Sequence, residues 1–141
     1  MKKILYLLLL STMAVYFTGC KDKKDEEVTL DISEKNLVGK WSCYKDVWSE
    51  YGEQDTYEYS GGEYWYITFS ADGTYKMEEK WKDEETNEYE TDTENGEWEV
   101  NGKKLILDGE EECTIRSLTN KELILYDSGT DFWHEQYFKK I

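Results

Sequence analysis

Apolar and polar residues alternate with a period of two along most of the chain from residue 40 onward, which is typical of β-strands with one buried face. Short segments rich in Gly, Asn and Asp separate the alternating runs, and Asn101-Gly102 is the strongest of these hairpin signals. No long helical pattern competes. The pattern predicts eight strands, at residues 40–48, 64–70, 74–82, 96–100, 104–107, 113–118, 123–126 and 132–139.

The two faces of these predicted strands differ in polarity. Apolar residues share one face, namely Trp41, Cys43, Ile67, Phe69, Tyr75, Met77, Trp98, Val100, Leu105, Leu107, Leu123 and Leu125. Polar residues share the other, namely Lys40, Ser42, Lys76, Glu78, Glu97 and Glu99. An apolar face and a polar face over eight consecutive strands predict an all-β fold, namely an eight-stranded antiparallel up-and-down barrel. A two-sheet β-sandwich is the alternative.

Four sequence elements resemble the lipocalin-like domain of small lipoproteins of the Bacteroides group. They are LVGKW at residues 37–41, TFSADGTY at 68–75, GEW at 96–98 and IRSLT at 115–119. The resemblance implies a lipocalin-like barrel in which Gly39 and Trp41 have a structural role, with the Trp lying across the closed floor. It does not transfer a ligand, because one fold hosts many functions.

Residues 1–19 have the layout of an export signal. Lys2 and Lys3 precede an apolar run over residues 4–17, and Thr18-Gly19 forms a small-residue cleavage site. A transmembrane helix is the rival interpretation, but about fourteen residues are too few to cross a bilayer core that needs roughly twenty.

Residues 17–20 (FTGC) resemble the lipobox of bacterial lipoproteins, with Phe17 where Leu is usual. The resemblance implies that Cys20 becomes the first residue and carries several acyl chains, which together suffice for stable attachment to a membrane. The charged run that follows, KDKKDEE at residues 21–27, is interpreted as a solvated tether. Its Lys24-Asp25-Glu26 resembles export signals to the outer face of the outer membrane, so the cell surface and the periplasmic face both stay open.

The predicted organisation is therefore a signal peptide at residues 1–19, a lipidated cysteine and charged tether at 20–36, and a β-barrel domain at 37–141. The chain carries a net charge of −15, with 32 acidic residues against 17 basic ones. Loss of Lys2 and Lys3 with the signal makes the balance more negative still. A surface this acidic excludes nucleic acid as a partner and favours cationic ones.

Two long connections, at residues 49–62 and 83–95, are predicted at one end of the barrel, although residues 88–94 could instead extend a tall hairpin. Both segments are acidic and contain tyrosines, which fits either a solvated surface or a binding mouth for sugars, amines or other ligands that stack on aromatic rings. The candidate ligand-binding residues are Trp48, Tyr57, Tyr59, Trp65, Tyr75, Trp81 and Trp98. Trp65 equally suits a filled core.

Neither catalysis nor a cofactor nor a metal site is predicted. Cys43 and Cys113 lie on strands that are not neighbours, so two buried thiols are favoured over a disulfide. The single histidine, His134, is interpreted as a structural residue. No ordered series of Asp ligands for calcium is present.

Two functions remain. The first is a membrane-anchored binding protein whose barrel holds a small apolar or aromatic-stacking ligand, or a glycan, at an acidic rim. The second is a non-enzymatic envelope or surface protein with a filled barrel that recognises a protein partner. An interior pocket lined by Trp65, Tyr75, Trp98 and Leu125 would favour the first function.

Overall fold

Nine β-strands and one helical turn are formed by residues 26–141, the part of the chain that the computed structural model describes. The predicted signal peptide and the predicted lipidation site Cys20 lie outside these residues. The elements are α1 (Glu34–Leu37), β1 (Gly39–Glu50), β2 (Glu53–Glu58), β3 (Tyr64–Phe69), β4 (Thr74–Lys82), β5 (Tyr89–Asn101), β6 (Lys104–Leu107), β7 (Glu111–Leu118), β8 (Glu122–Ser128) and β9 (Phe132–Lys140). No helix in this part of the chain is long and apolar enough to cross a membrane.

The sheet closes on itself. From β3 to β9 each strand pairs antiparallel with the next, and β9 returns to pair with β1 from Trp41–Lys140 to Glu50–Phe132. The predicted antiparallel up-and-down barrel is therefore confirmed, and the sandwich alternative is wrong because a continuous closed sheet has no break that could separate two layers. We call the end where β1 begins the floor and the opposite end the mouth.

The long loop predicted at residues 49–62 is instead mostly an extra strand, β2. The lower part of β1, Gly39–Cys43, pairs with β3, and its upper part, from Lys45, pairs with β2 on the same edge. Strands β2 and β3 thus lie end to end along β1. Tyr51 and Gly52 adopt positive φ angles of 50° and 86°, the conformation of a tight hairpin turn that joins β1 to β2.

The second predicted long connection is a tall hairpin. Strand β5 begins at Tyr89 and pairs with β4 up to Lys82, so only residues 83–88 form the turn. Strand β6 pairs with β5 only from Trp98 to Asn101. Among the described residues, the upper part of β5 therefore has no strand neighbour on that edge, and the barrel wall is low there.

A strap formed by residues 26–37 covers the floor, although the sequence placed residues 26–36 in the tether. The backbone of Leu30 donates a hydrogen bond to Leu118 O at 2.9 Å, and that of Val28 donates to Asn120 Oδ1 at 2.7 Å. Leu30 and Ile32 pack against the core, and Leu37 is fully buried. The folded part of the chain thus includes the strap.

Gly39 and Trp41 join this strap to the barrel. Gly39 has a φ of +134°, which glycine adopts easily, and an added Cβ would come within 3.0 Å of Lys140 Cε. Trp41 is fully buried, and its Nε1–H donates a hydrogen bond to Leu37 O at 2.8 Å. The indole therefore links the first strand to the covering strap.

The lower half of the barrel is filled by apolar side chains. The buried core consists of Leu37, Trp41, Cys43, Ile67, Phe69, Tyr75, Trp98, Leu105, Ile115, Leu118, Leu123, Leu125 and Phe138. In β1 the register with β9 shifts at Tyr44, a β-bulge that keeps Cys43 and Asp46 both on the inner face. Above Cys43 the inward residues of β1 are polar or aromatic, so the filling stops near this level.

Candidate functional site

The upper half of the barrel is hollow, and the space next to the filled core is an apolar cavity of about 550 Å³. Its floor and sides are Trp65, Ile67, Met77, Leu105, Leu107, Cys113 and Leu125, and its upper edge carries Glu111, Glu112, Asp127, His134 and Gln136. The inward positions of β3, β4, β6 and β8 supply the apolar wall, because the alternation that builds the core continues upward on these strands. The volume is in the range of small-molecule sites.

A second, smaller space of about 310 Å³ lies between β1, β4 and β5, and we call it the acidic cavity. Its walls are Asp46, Tyr59, Trp65, Met77, Glu79, Asp92, Thr93, Glu94 and Gln136. Trp65, Met77 and Gln136 line both this cavity and the apolar cavity, so the two spaces adjoin.

An outer cleft of about 660 Å³ continues from the acidic cavity to the mouth. Asp46, Tyr59 and Glu79 line both spaces, and the remaining wall of the cleft is Trp48, Tyr57, Glu63, Trp81, Lys82, Asp83, Glu84 and Asn87. The three spaces together give a path from solvent, past carboxylates and aromatic rings, to the apolar cavity.

Like charges converge where the acidic cavity meets the outer cleft. Burial raises the pKa of Glu79 above its ordinary value, and the negative charges of Asp92 and Asp46 raise it further. Within residues 26–141 the Glu79 carboxylate has neither a hydrogen bond nor an ion pair with another side chain. A positive charge placed here would lower the free energy of all three groups.

His134 and Asp46 contact each other on the inner wall. The ring Nε2 of His134 lies within hydrogen-bond distance of Asp46 Oδ1, and the Asp46 side chain is only 14% exposed. This hydrogen bond, together with the charges of Asp46 and Asp127, raises the pKa of His134. Protonated His134 thus compensates Asp46, while Glu79 and Asp92 have no such cationic partner among the residues that the structure describes.

Tyrosines form one side of the path. The rings of Tyr57 and Tyr59 pack edge to face at 5.0 Å, and the Tyr57 hydroxyl donates to Glu63, which raises the pKa of Tyr57 to about 12. Burial, and then nearby negative charges including Asp46 and Glu79, raise the pKa of Tyr59 as well. Both phenols stay neutral at ordinary pH and can donate hydrogen bonds or offer ring faces.

The structure brings five of the seven candidate ligand-binding residues to this path. Trp48, Tyr57, Tyr59 and Trp81 line the outer cleft, and Trp65 lies between the apolar and acidic cavities. Tyr75 and Trp98 do not join them. They are buried in the lower core, where Trp98 packs against Phe69 at 4.8 Å and the Tyr75 hydroxyl donates to Asp108 at 2.7 Å.

Several wall residues were not singled out from the sequence. Asp46, Glu79, Asp92 and Gln136 all face inward, and period two from Tyr75 and Met77 already places Glu79 on the inner face. Asp46 could not be placed this way, because the bulge at Tyr44 changes the parity of β1.

Cys43 and Cys113 are both free thiols, and burial raises the pKa of each to about 12. Within the described residues, no group of three or more His, Cys, Asp or Glu side chains is arranged to hold a metal ion.

A comparison with known proteins identifies the family of this chain. A family model described as a lipocalin-like domain matches residues 37–125, which is more than half of the chain. A search of curated proteins finds no match. The matched region begins just before the Gly39-Lys40-Trp41 element and ends in β8.

Proposed function

Because the chain belongs to the lipocalin-like domain family and the upper half of its barrel is hollow, we propose that it is a binding protein for a small molecule with an apolar portion. The observation that carries the proposal is the apolar cavity, which is bounded by the core below and adjoins the acidic cavity. Proteins of this architecture have interiors that either fill with side chains or hold one small ligand.

The wall chemistry supports a ligand with a hydrophobic or aromatic body. Leu105, Leu107 and Leu125 offer flexible apolar surface, and Met77 adapts to irregular shapes. Trp65 packs on Phe138 with a centroid distance of 4.8 Å, so one ring is held in place beside the cavity. Each 100 Å² of ligand surface buried against this wall would contribute about 2.5 kcal/mol before the costs of association.

We propose binding rather than catalysis, because the polar groups around the cavities are mainly carboxylates that face a shared solvent path. The only histidine contacts Asp46. Such an arrangement supports recognition of a charged or hydrogen-bonding group, and no nucleophile with an adjacent base is needed for it.

We also propose that the protein is a lipoprotein, attached through Cys20 to the bacterial outer membrane on either its surface or its periplasmic side. The lipobox-like FTGC at residues 17–20 and the apolar run that precedes it support this. The strap enters the domain at the floor, and residues 20–25 extend over at most about 20 Å. The mouth would then point away from the membrane. Replacing Cys20 with Ala should release the protein from membranes, and protease treatment of intact cells should distinguish the two faces.

The binding proposal can be tested by native mass spectrometry. The protein would be purified in a non-ionic detergent from the envelope of its own host and measured folded and denatured. We expect a reproducible added mass that disappears on denaturation. A matched variant, Leu107→Trp, should lower the occupancy because an indole would enter the cavity, whereas Glu99→Trp on the outer face should not. Equal occupancy in both variants would exclude the cavity as the binding site.

A further inference from the structure

The two cavities differ in polarity, and their contact defines a ligand class. The apolar cavity has a mainly hydrocarbon wall, with Glu111, Glu112 and Asp127 only at its upper edge, and the acidic cavity next to it holds Asp46, Glu79, Asp92 and Glu94. Neither wall contains a lysine or an arginine among the residues that the structure describes. A ligand that fills both spaces would therefore place one end on hydrocarbon and the other among carboxylates.

Two neighbouring carboxylates on β4, Glu78 and Glu79, differ in their ion pairs and in the direction of their pKa shifts. Glu78 points outward and forms ion pairs with Lys40 at 3.2 Å and Lys76 at 2.9 Å, which lower its pKa. Glu79 points inward, has no cationic partner within residues 26–141, and has a raised pKa.

Apart from Lys82, which lines the outer cleft, many of the positive charges of the barrel lie on its outer face. Lys40, Lys45 and Lys139 each sit over a tyrosine ring, at 4.3 Å, 3.8 Å and 4.5 Å from the ring centroid. Arg116 pairs with Glu135 on the same face. These side chains are engaged outside, and within residues 26–141 no lysine or arginine forms an ion pair with Glu79 or Asp92.

Aromatic rings complete the acidic cavity. Tyr59 and Trp65 stand beside Glu79 and Asp92, and a cation can be attracted by a ring face as well as by a carboxylate. Trp65 also borders the apolar cavity, so a single ligand can contact the same indole with its body and its charged group.

We infer that the ligand of this barrel is an amphipathic organic cation, with its positively charged nitrogen in the acidic cavity between Asp46, Glu79 and Asp92 and its apolar body in the adjoining cavity. The inference rests on the proposed function and names the ligand class for the same site. An anionic amphiphile such as a fatty acid would meet four carboxylates and is excluded by the same geometry.

Three probes with one apolar body separate charge from hydrophobicity: 4-phenylbutylammonium, 4-phenylbutanol and 4-phenylbutyrate. Binding to the full-length protein in a non-ionic detergent would be measured by calorimetry and by tryptophan fluorescence at pH 7.5. We expect the ammonium probe to bind at least ten times more tightly than the alcohol and the carboxylate probe not to bind. Higher salt should weaken only the ammonium probe.

Two variants locate the charge. Glu79→Gln should reduce the affinity for the ammonium probe about tenfold and leave the affinity for the alcohol unchanged, whereas Glu78→Gln, its outward neighbour, should change neither. If the alcohol and the ammonium probe bind equally and Glu79→Gln has no effect, the cationic class is wrong while cavity binding stands. If none of the three probes binds, the cationic class is overturned as well, and the mass measurement described above decides separately whether the barrel carries any ligand.

Discussion

The hydrogen bond from the Trp41 indole to Leu37 O can be tested by the substitution Trp41→Phe. Phenylalanine keeps most of the buried ring but has no N–H group. The Leu37 carbonyl then loses its partner in a fully buried setting, at the point where the strap meets the first strand. The substitution therefore examines whether this one contact holds the covering of the floor in place.

The expected loss has two parts. A buried carbonyl without a partner costs about 1–3 kcal/mol, and the smaller ring leaves a void that adds up to about 1 kcal/mol. We expect Trp41→Phe to lower the free energy of unfolding by about 2–3 kcal/mol. For a folded part of this size, such a loss corresponds to a decrease in Tm of about 8–12 °C.

Urea unfolding followed by circular dichroism would measure the loss, and Trp48→Phe on the same strand is the matched control. Trp48 is 37% exposed at the mouth, so its replacement should cost less than about 1 kcal/mol. Limited proteolysis should also cut the strap faster in Trp41→Phe. Equal stability of the two variants, or unchanged cleavage of the strap, would refute the proposed role of the indole.

Three further outcomes are expected. Since the pKa of Glu79 is raised, its contribution to stability is present below the ordinary value of 4.5 and is lost as pH rises through the raised pKa. The variant Glu79→Gln should therefore be more stable than the native protein in urea unfolding at pH 7 but not at pH 4. A gain in stability of equal size at both pH values would contradict this prediction. The pKa of His134 is also raised, so the stability that its contact with Asp46 contributes is present below pH 6.5 and is lost as pH rises through the raised pKa. The variant His134→Gln should abolish this loss of stability with rising pH. If the curves of unfolding free energy against pH are parallel for the two proteins, the assignment to His134 is wrong. Cys43 and Cys113, with pKa values of about 12, should react with iodoacetamide at pH 8 only after unfolding, and rapid modification of the folded protein would show that the thiols are not protected.

The barrel was predictable because each of its core strands has an apolar inner face and a polar outer face. Inward residues such as Ile67, Phe69 and Leu105 are apolar and their neighbours are polar, so period two is visible in the sequence. Strand β2 could not be found this way. Its six residues are all exposed, so nothing selects an inner face, and the strand exists because the edge of β1 above Cys43 offers unpaired backbone groups.

The site was only partly predictable because residue type does not reveal height in the barrel. Tyr75 is the second residue of β4, next to the turn at the floor, whereas Trp81 is the last but one and lies at the mouth. Counting from the turns would have separated them, and it also places Trp98 low. The bulge at Tyr44 left no such signal, so Asp46 could be assigned to the interior only from the pairing with β9.

The inward stripe of β4 explains why the barrel is filled below and hollow above. Read upward it is Tyr75, Met77, Glu79 and Trp81, so the apolar filling ends where a carboxylate first points inward. Closing apolar side chains over Glu79 would require burying a charge without a partner, which costs more than the contacts would return. The same residue that keeps the space open therefore lowers stability when the site is empty, and a cation in the acidic cavity would offset that cost.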